Sequence, residues 1–548
     1  MSKPRNRWIG LIFISMAISL VIIDGTIVNT IFPTVIKALN IQADQVQWVQ
    51  ESYVLVFASL LLVWGSLADR IGRRLMLTIG IAIFIAASVW AGTTTSVDQM
   101  IFARIIQGIG GSMVLPTTLS LVNANFQGKE RGQAFAVWGA TIGGMVAVGP
   151  VLGGWLASYD KIWGFDGWRW AFNINLPLGL IVIAGLLWFV AESKQPQREG
   201  GIDVVGAGIS VIMFLTLVFG LIEGRLYGWW NVNSAHQFKL GSFAWPTEGL
   251  SVIPVSLAIS VVFIIIFIAW EHHRENAHKN VLLDLGLFKI ASFRNGSIAA
   301  LIISMGEFGV LFAIPLWLQN VEGLTPLQSG TVLLWLAGGA FVASGVGGAL
   351  SGKLAPALAV RLGVLLELVG VAGIALVSGY GWGAICPFLF IYGLGIGFAT
   401  AQLTGVIMVD VPLEKSGQGS GSQSTVRQVG SALGIAVLGT ALFTATQASI
   451  DSKLADIPAV KEAPAAAFNW VSSAVVESAG GAIPGLKGQL ELNHVPAAVA
   501  EEVSNAAATS FTDGAKATAW TAGGFLLLGF ISTFNLNARR KHGASSEE

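Results

Sequence analysis

Residues 65–74 read GSLADRIGRR, a charged decapeptide between two apolar runs that begin near residues 48 and 75. Gly65 permits close helix approach, and Asp69 can pair with an arginine or cap a helix end. The three arginines of the decapeptide suit a cytoplasmic loop, where basic residues accumulate. The stretch therefore predicts a short basic turn between two membrane-spanning helices.

The composition indicates that the membrane is the solvent. The 548 residues are 54% hydrophobic and only 11% charged, whereas a soluble protein would be about one quarter charged. The net charge of zero gives no indication of nucleic-acid binding. The single cysteine, Cys386, excludes an internal disulfide and a metal site made only of thiolates. We expect an all-α integral membrane protein without a cofactor.

Apolar runs define the topology. A helix needs roughly 20 apolar residues to cross the hydrocarbon core, and the sequence predicts about fourteen such spans, beginning between residues 9 and 515. If the N-terminus is inside, the cytoplasmic connections hold about 21 of the 31 lysines and arginines. Because basic connections stay in the cytoplasm, we expect both termini there, in a multi-pass protein of the cell membrane.

One segment on the opposite side is unusually long. Residues 447–514 are rich in alanine and carry eight acids against three lysines. Connections of this length are uncommon between neighbouring elements. A mobile surface loop is the plainer expectation, and a folded cap over the outer mouth is the alternative.

Two weak similarities between distant stretches of the chain suggest an internal repeat. GKLAPALAVR at 352–361 matches the decapeptide at Gly, Leu, Ala and the final Arg. Asp24 precedes Pro33 by nine residues, and Glu307 precedes Pro315 by eight. Both similarities have nearly the same offset, which predicts two homologous halves.

The repeat divides the chain into three parts. We predict six-helix bundles at 1–192 and 291–548, the second carrying the insertion at 447–514. Two inserted linker helices occupy 193–290. Internal repeats with a binding site at their interface are typical of transporters.

The decapeptide resembles the loop motif between the second and third helices of the major facilitator superfamily. The resemblance implies the major facilitator fold, here two six-helix bundles plus two inserted helices. It also implies that Asp69 belongs to a gate that locks one conformation and releases it during transport. The matching positions are Gly65, Asp69, Arg70, Gly72, Arg73 and Arg74. The plainer alternative is a basic loop that only fixes topology.

RIIQGIGG at 104–111 resembles the fourth-helix motif of the same family. Arg104 is the one basic residue placed deep in a predicted span, where it requires acceptors or water. The resemblance associates this position with proton transfer. The alternative is a structural arginine bound to backbone carbonyls.

GPVLGG at 149–154 resembles the core of the motif that marks antiporters rather than importers. Its members are Gly149, Pro150, Gly153 and Gly154. Small residues four apart let helices approach closely, and proline allows a kink. Ala136 and Met145 replace two upstream glycines of the full pattern. A packing face is the alternative.

Two further stretches narrow the resemblance to a subgroup. WRWAFNINLP at 168–177 and DGTIVNTIFPTV, which begins at Asp24, are similar to motifs of the fourteen-helix drug:proton antiporters of the quaternary-ammonium multidrug exporter type. Asp24 matches the acidic position of that group's first helix.

Asp24, Glu307 and Glu367 lie well inside predicted spans. Burial disfavours a charged carboxylate and a nearby cation favours it, so such a group can exchange a proton for a cationic substrate. Asp24 and Glu307, one in each half, would allow two protons per cation. For Glu367 the alternative is a pair with Arg361.

Aromatic rings bind cations through their faces. Trp317 and Trp335 are therefore candidates for the substrate site, and residence at the membrane interface is the alternative for both.

We interpret the sequence as a proton-coupled efflux transporter for lipophilic, cationic drugs or toxic compounds, surrounded by membrane lipids. The oligomeric state is left open, with a monomer compatible with the sequence. The nearest alternative is an exporter of a neutral or lipid-like amphiphile. An integral-membrane enzyme is disfavoured because no metal cluster, diphosphate motif or Ser–His constellation is recognisable, and a proton-driven importer is disfavoured by GPVLGG.

Overall fold

A computed structural model describes residues 6–39, 43–194, 202–233, 236–240, 243–350, 354–462 and 468–536. The chain there is almost entirely helical. Most of the predicted basic N-terminus, the basic tail and Gly352 of the repeat lie outside the described residues.

The helices up to residue 276 are α1 Arg7–Leu39, α2 Ala43–Ile71, α3 Arg73–Thr93, α4 Val97–Asn125, α5 Gly128–Ala157, α6 Trp170–Asn173, α7 Asn175–Phe189, α8 Val204–Ile222, α9 Gly224–Tyr227 and α10 Val252–Asn276. The remaining helices are α11 Ala291–Asn320, α12 Pro326–Leu350, α13 Pro356–Val377, α14 Trp382–Met408, α15 Ser416–Asp456, α16 Pro458–Glu462, α17 Asn469–Glu477, α18 Ile483–Leu492 and α19 Ala497–Ser532. Short 3-10 turns cover Gly167–Arg169, Leu285–Lys289, Ser378–Tyr380, Leu413–Lys415 and Thr533–Asn535. Two antiparallel hairpins pair β1 Lys161–Ile162 with β2 Phe165–Asp166, and β3 Lys239–Leu240 with β4 Phe243–Ala244.

The predicted count of spans is confirmed. Within the described residues, fourteen helical segments are long and apolar enough to cross a membrane. The sixth is composite, because α6 and α7 form one segment over Gly167–Phe189. The last begins at Ala497 rather than near residue 515, since α19 continues far into the insertion.

Side-chain caps explain several helix starts. Ser96 accepts the Gln99 N–H at the start of α4, and Asp203 accepts the Gly206 N–H at the start of α8. Both residues are among the preferred N-caps, because a short side-chain oxygen satisfies an amide that has no helical partner.

The bundle has two ends, named here for reference. The loop end holds Gly72, between α2 and α3, and the insertion end holds residues 468–496. One buried apolar cluster lies wholly within residues 11–190, and another lies mostly within 282–536. The boundaries of the three predicted parts remain a prediction.

The insertion is folded. α15 has 41 residues and α19 has 36, far more than the roughly 20 that cross a bilayer. Their extensions pack with α17 and α18 around fully buried apolar side chains. This small core includes Val471, Val475, Leu486, Val503 and Phe511. The described residues of the insertion are therefore folded and do not form the loop that was the plainer expectation; the position of a cap over the outer mouth stays a prediction.

Candidate functional site

The first element of the site joins α2 to α15 at the loop end. Asp69, buried near the end of α2, accepts the backbone N–H of Gly417 at 2.8 Å and that of Gln418 at 3.1 Å. These amides belong to the first turn of α15, where N–H groups lack helical partners and favour an anion. Arg73 donates to the same carboxylate at 2.7 and 3.0 Å. Asp69, on α2, therefore caps the start of α15.

Glycines on α2 and α15 allow the two helices to come close enough for Asp69 to accept the hydrogen bonds from α15. A Cβ added at Gly65 would lie 2.6 Å from the Gly417 carbonyl oxygen and 2.7 Å from the Gly421 Cα. A Cβ added at Gly417 would collide with the Gly65 carbonyl and the Asp69 carboxylate. Only glycine therefore allows α2 and α15 to approach this closely. This agrees with the prediction that Gly65 permits close helix approach.

Arg73 and Arg74 also form hydrogen bonds with neighbouring loops. Arg73 Nη1 donates to Ser193 Oγ at 2.8 Å, and Nη2 donates to the Leu413 carbonyl at 2.9 Å. The Arg74 amide donates to Glu192 at 2.9 Å.

Gly72 and Arg70 complete the decapeptide. Gly72 has a φ of 126°, in a region that favours glycine. Arg70 lines a small cavity with Asp203 and Val281. The loop is therefore a network of specific contacts and not only a set of positive charges.

A second connection at the loop end comes from the segment after α10. The Asp284 amide donates to Gln418 Oε1 at 3.2 Å, and Gln418 Nε2 donates to the Val281 carbonyl at 3.3 Å. Asp284 also forms an ion pair with Lys415. The segment after α10 is thus attached to the same turn of α15 that Asp69 caps. No sequence pattern predicted these pairings, which join residues more than 130 positions apart.

Asp24, on α1, is fully buried and fully partnered. Arg104 Nη1 donates to Asp24 Oδ2 at 2.6 Å and to Gln107 Oε1 at 2.7 Å. Gln107 Nε2 donates to Asp24 Oδ1 at 2.7 Å, and Asn175 Nδ2 donates to the same oxygen at 3.2 Å. Ser88 Oγ accepts from both amides. α1, α3, α4 and α7 are therefore joined through one polar network.

Two predicted residues, Asp24 and Arg104, meet directly in this network. Arg104 also lies 4.2 Å above the Tyr53 ring and donates to the Val49 carbonyl at 3.4 Å. Sequence reasoning missed Gln107 and Asn175 as partners. Both stand inside motifs already singled out, RIIQGIGG and WRWAFNINLP.

Glu307, on α11, is buried but more loosely held. Arg427 Nη2 lies 3.4 Å from Glu307 Oε2, and Thr400 Oγ1 donates to Oε1 at 3.3 Å. The Tyr392 hydroxyl donates to the Glu307 backbone carbonyl at 3.2 Å. Of the ion pair, Arg427 is the more exposed member. The sequence analysis did not identify Arg427 as a partner of Glu307.

Glu367, on α13, is fully buried, and neither carboxylate oxygen has a hydrogen-bond partner within the described residues. It lies close enough to Glu307 and Arg427 to interact electrostatically with both. The expected pair with Arg361 is wrong. Arg361 donates instead to the Thr533 carbonyl at 3.4 Å and lies 4.6 Å above the Phe534 ring. Two buried acids, one on α11 and one on α13, therefore lie near one shared cation, Arg427.

The glycines of GPVLGG pack against other helices. A Cβ at Gly149 would collide with Thr26 on α1, and one at Gly153 would lie 3.0 Å from the Ile27 carbonyl. A Cβ at Gly154 would lie 2.8 Å from Leu327 on α12. Pro150 lies within α5, opposite Gly330 of α12. The motif is a packing face between α5, α1 and α12.

Neither tryptophan lies in a carboxylate cluster. Trp317 is buried and donates from Nε1 to Thr512 Oγ1 at 3.0 Å. It is ten residues beyond Glu307 on α11, about 15 Å along the helix axis. Trp335 is 51% exposed, on the outer stripe of α12. The aromatic side chains that do contact the clusters are Tyr53 and Tyr392.

Comparisons with known proteins agree with this architecture. Residues 14–435 match the family model described as Major Facilitator Superfamily. The tetracenomycin C resistance and export protein of Streptomyces glaucescens is 28% identical over 488 residues, covering 88% of this chain and 85% of that protein. The multidrug efflux pump LfrA of Mycolicibacterium smegmatis is 29% identical over 521 residues, covering 94% and 91%.

A solved structure shows the same fold. The human organic anion transporter MFSD10 superposes with a TM-score of 0.58 at 12% identity, covering 96% of this chain and 99% of that one. At this identity the likeness concerns the arrangement of helices alone.

Proposed function

The chain belongs to the major facilitator superfamily, and we propose that it is an efflux transporter that exports lipophilic, cationic drugs or other toxic compounds in exchange for protons. The relatives named as export and efflux proteins cover most of both chains, which supports the direction of transport. The observation that carries proton exchange is the pair of buried acids, Glu307 and Glu367, beside one arginine.

The chemistry follows from the pairing of these acids. Two carboxylates in a low-dielectric interior repel each other, so the pair holds one proton most readily when a single cation is nearby. Arg427 supplies that cation at 3.4 Å from Glu307. A positively charged substrate that approached the pair would stabilise the second carboxylate and release its proton. Proton and substrate would then compete for the same site, as exchange requires.

Asp24 plays a different part in this proposal. Its carboxylate already has Arg104 as counter-ion and accepts two amide hydrogen bonds. A proton can bind there only if this network rearranges. We propose that the network couples α1 and α4 to the transport cycle, and that Asp24 exchanges a proton only in a conformation in which Arg104 has moved.

The loop end is proposed to be cytoplasmic, because basic residues concentrate there. Asp69 and the first turn of α15, which are in contact in this structure, would then form the cytoplasmic gate. Transport requires this contact to break and re-form in each cycle. The folded cap at the insertion end would face outward.

Cysteine labelling tests the orientation. Ser473 is exposed in the cap, whereas the neighbouring Ser472 is buried, so Ser473→Cys is the suitable probe. We expect an impermeant thiol reagent to label Ser473→Cys in intact cells and to spare Ser545→Cys in the tail. Labelling of the tail alone would overturn the orientation.

Export of a neutral or lipid-like amphiphile is the second candidate. The feature that favours it is the extension of α15 and α19 beyond the bundle, with α17 and α18 packed beside them. Such a structure could shield an apolar cargo from water beyond the membrane.

Reconstituted protein separates the two candidates. Purified protein in liposomes that enclose a pH-sensitive dye is given an ethidium-type cation or a neutral amphiphile. We expect proton movement with the cation, and its loss in Glu307→Gln. Proton movement with neutral cargo alone would favour the second candidate.

A further inference from the structure

An apolar cavity of about 520 Å³ lies beside the inserted helices, between α8, α10, α11 and α15. This volume is within the range of about 300–1,000 Å³ that small-molecule sites occupy. Its walls include Met213, Phe267, Leu301 and Val429. The cavity is partly open, and its lining residues include Ile268 of α10, whose side chain is exposed.

The polar groups of the cavity are concentrated towards its loop end. Arg294 lines the cavity and is exposed, and within the described chain it forms no ion pair. One turn deeper on the same face of α11, Ser297 is only 4% exposed, and its hydroxyl has no hydrogen-bond partner among the described residues. Leu301 follows a further turn in, about 10 Å from Arg294 along the helix axis.

With increasing depth the cavity presents a cation, a hydroxyl and then apolar side chains. A membrane lipid has complementary groups in the same order. A cation at the membrane boundary suits an anionic head group, and a buried hydroxyl one turn deeper suits an ester oxygen. The apolar walls beyond suit an acyl chain. We propose that the cavity binds one anionic phospholipid from the leaflet at the loop end, with its head group at Arg294 and its chain against Leu301 and Val429.

The proposed lipid site is separate from the carboxylate cluster. Ser422, Thr425, Val426 and Val429 line the cavity from one face of α15. Arg427 lies on the opposite face, because successive helical residues are rotated by about 100°. The same helix, α15, begins at the turn capped by Asp69. A lipid bound in the cavity would therefore contact α15 without contacting Glu307 or Glu367.

Photo-crosslinking of the full-length protein in nanodiscs tests the site. Trace phosphatidylglycerol or phosphatidylcholine carries a photoreactive group in one acyl chain, and labelled peptides are located by mass spectrometry. We expect phosphatidylglycerol to label the walls of the cavity in preference to phosphatidylcholine. Arg294→Gln should reduce that labelling about fivefold, the ratio that corresponds to about 1 kcal/mol per basic residue near an anionic lipid.

Three further variants separate binding from misfolding. Ser297→Ala removes an unpaired hydroxyl and should lower phosphatidylglycerol labelling while leaving thermal stability unchanged. Val429→Trp fills the cavity and should remove labelling by both lipids. Val342→Trp adds the same bulk on the exposed face of α12 and should leave labelling intact.

Equal labelling by both lipids that is unaffected by Arg294→Gln would overturn the proposal, since the cavity would then hold any acyl chain. Displacement of the label by ethidium but not by excess phosphatidylglycerol would also overturn it, because the cavity would then be a drug site. Lipid labelling does not depend on transport, so its failure is distinguishable from failure of the proposed exchange.

Discussion

Asp24 and Glu307 are both buried acids on the first helix of a proposed half, yet their surroundings differ. Asp24 has an ion pair at 2.6 Å and two amide donors. Glu307 has an ion pair at 3.4 Å, one hydroxyl donor at 3.3 Å and a second acid nearby. A fully partnered buried charge holds helices together, whereas a loosely partnered one can change its protonation. We therefore propose that Asp24 mainly joins helices in the conformation seen here, and that Glu307 carries the proton exchanged with the substrate.

The largest expected effect is on the stability of the first half. Removing one member of a buried ion pair typically costs about 3–5 kcal/mol, because the other charge is left unpaired. We therefore expect Asp24→Asn to lower the unfolding free energy by about this amount, measured by chemical denaturation in detergent.

The double variant Asp24→Asn with Arg104→Gln provides the control. It removes both charges and should recover part of the lost stability. If Asp24→Asn were as stable as the parent protein but lacked proton-coupled export, the assignment of a structural role to Asp24 would be wrong.

The second prediction concerns coupling in the second half. Glu307→Gln should abolish substrate-driven proton movement in liposomes, while unfolding free energy changes by less than in Asp24→Asn, because its ion pair is longer and Arg427 is partly exposed.

Glu367→Gln is the matched variant on the neighbouring helix. It removes an acid with no hydrogen-bond partner in the described structure, so stability should be kept while proton movement decreases. Normal coupling in both variants would exclude this cluster as the proton site.

The third prediction concerns the gate. A hydrogen bond to a charged group contributes about 1.5–3 kcal/mol, so Asp69→Asn should shift the equilibrium towards opening at the loop end by about tenfold. Spin-label distances between α2 and α15 would measure the shift.

Drug affinity should change little, since Asp69 lies in the loop-end contact and not in the carboxylate clusters. Asp98→Asn, at the start of α4 away from the gate, is the control and should leave the distances unchanged. A large loss of drug affinity with unchanged distances would contradict a gating role.

The smallest effect is expected at the attachment of the inserted helices. The Lys415–Asp284 pair is partly exposed, and such pairs contribute about 0.2–1 kcal/mol. Lys415→Gln should shift the same equilibrium in the same direction as Asp69→Asn, but by less than fivefold. Lys487→Gln breaks an exposed pair in the cap and should have no effect. A shift as large as that of Asp69→Asn would show that the inserted helices control the gate.

Sequence patterns were sufficient for the membrane architecture. Hydropathy determines which segments leave water, because about 20 apolar residues are needed to cross the bilayer irrespective of their neighbours. The fourteen spans were therefore predictable, and so was the burial of Asp24, Glu307 and Glu367. The start of α19 was not predictable. Its first turns belong to the folded insertion, and their sequence is rich in alanine and only weakly apolar.

Partner choice was decided by tertiary structure. Asp24 and Arg104 are 80 residues apart, and Asp69 caps a helix 348 residues away. No local pattern specifies such pairs, since they depend on which helices pack side by side. For the same reason Glu367 was predictable as a buried acid, but its surroundings were not, and the suggested pair with Arg361 is wrong. The positions of the acids along the spans, and hence their burial, follow from the sequence. The packing of helices determined which acids have close hydrogen-bonding partners, as Asp24 has, and which have few, as Glu307 and Glu367 have.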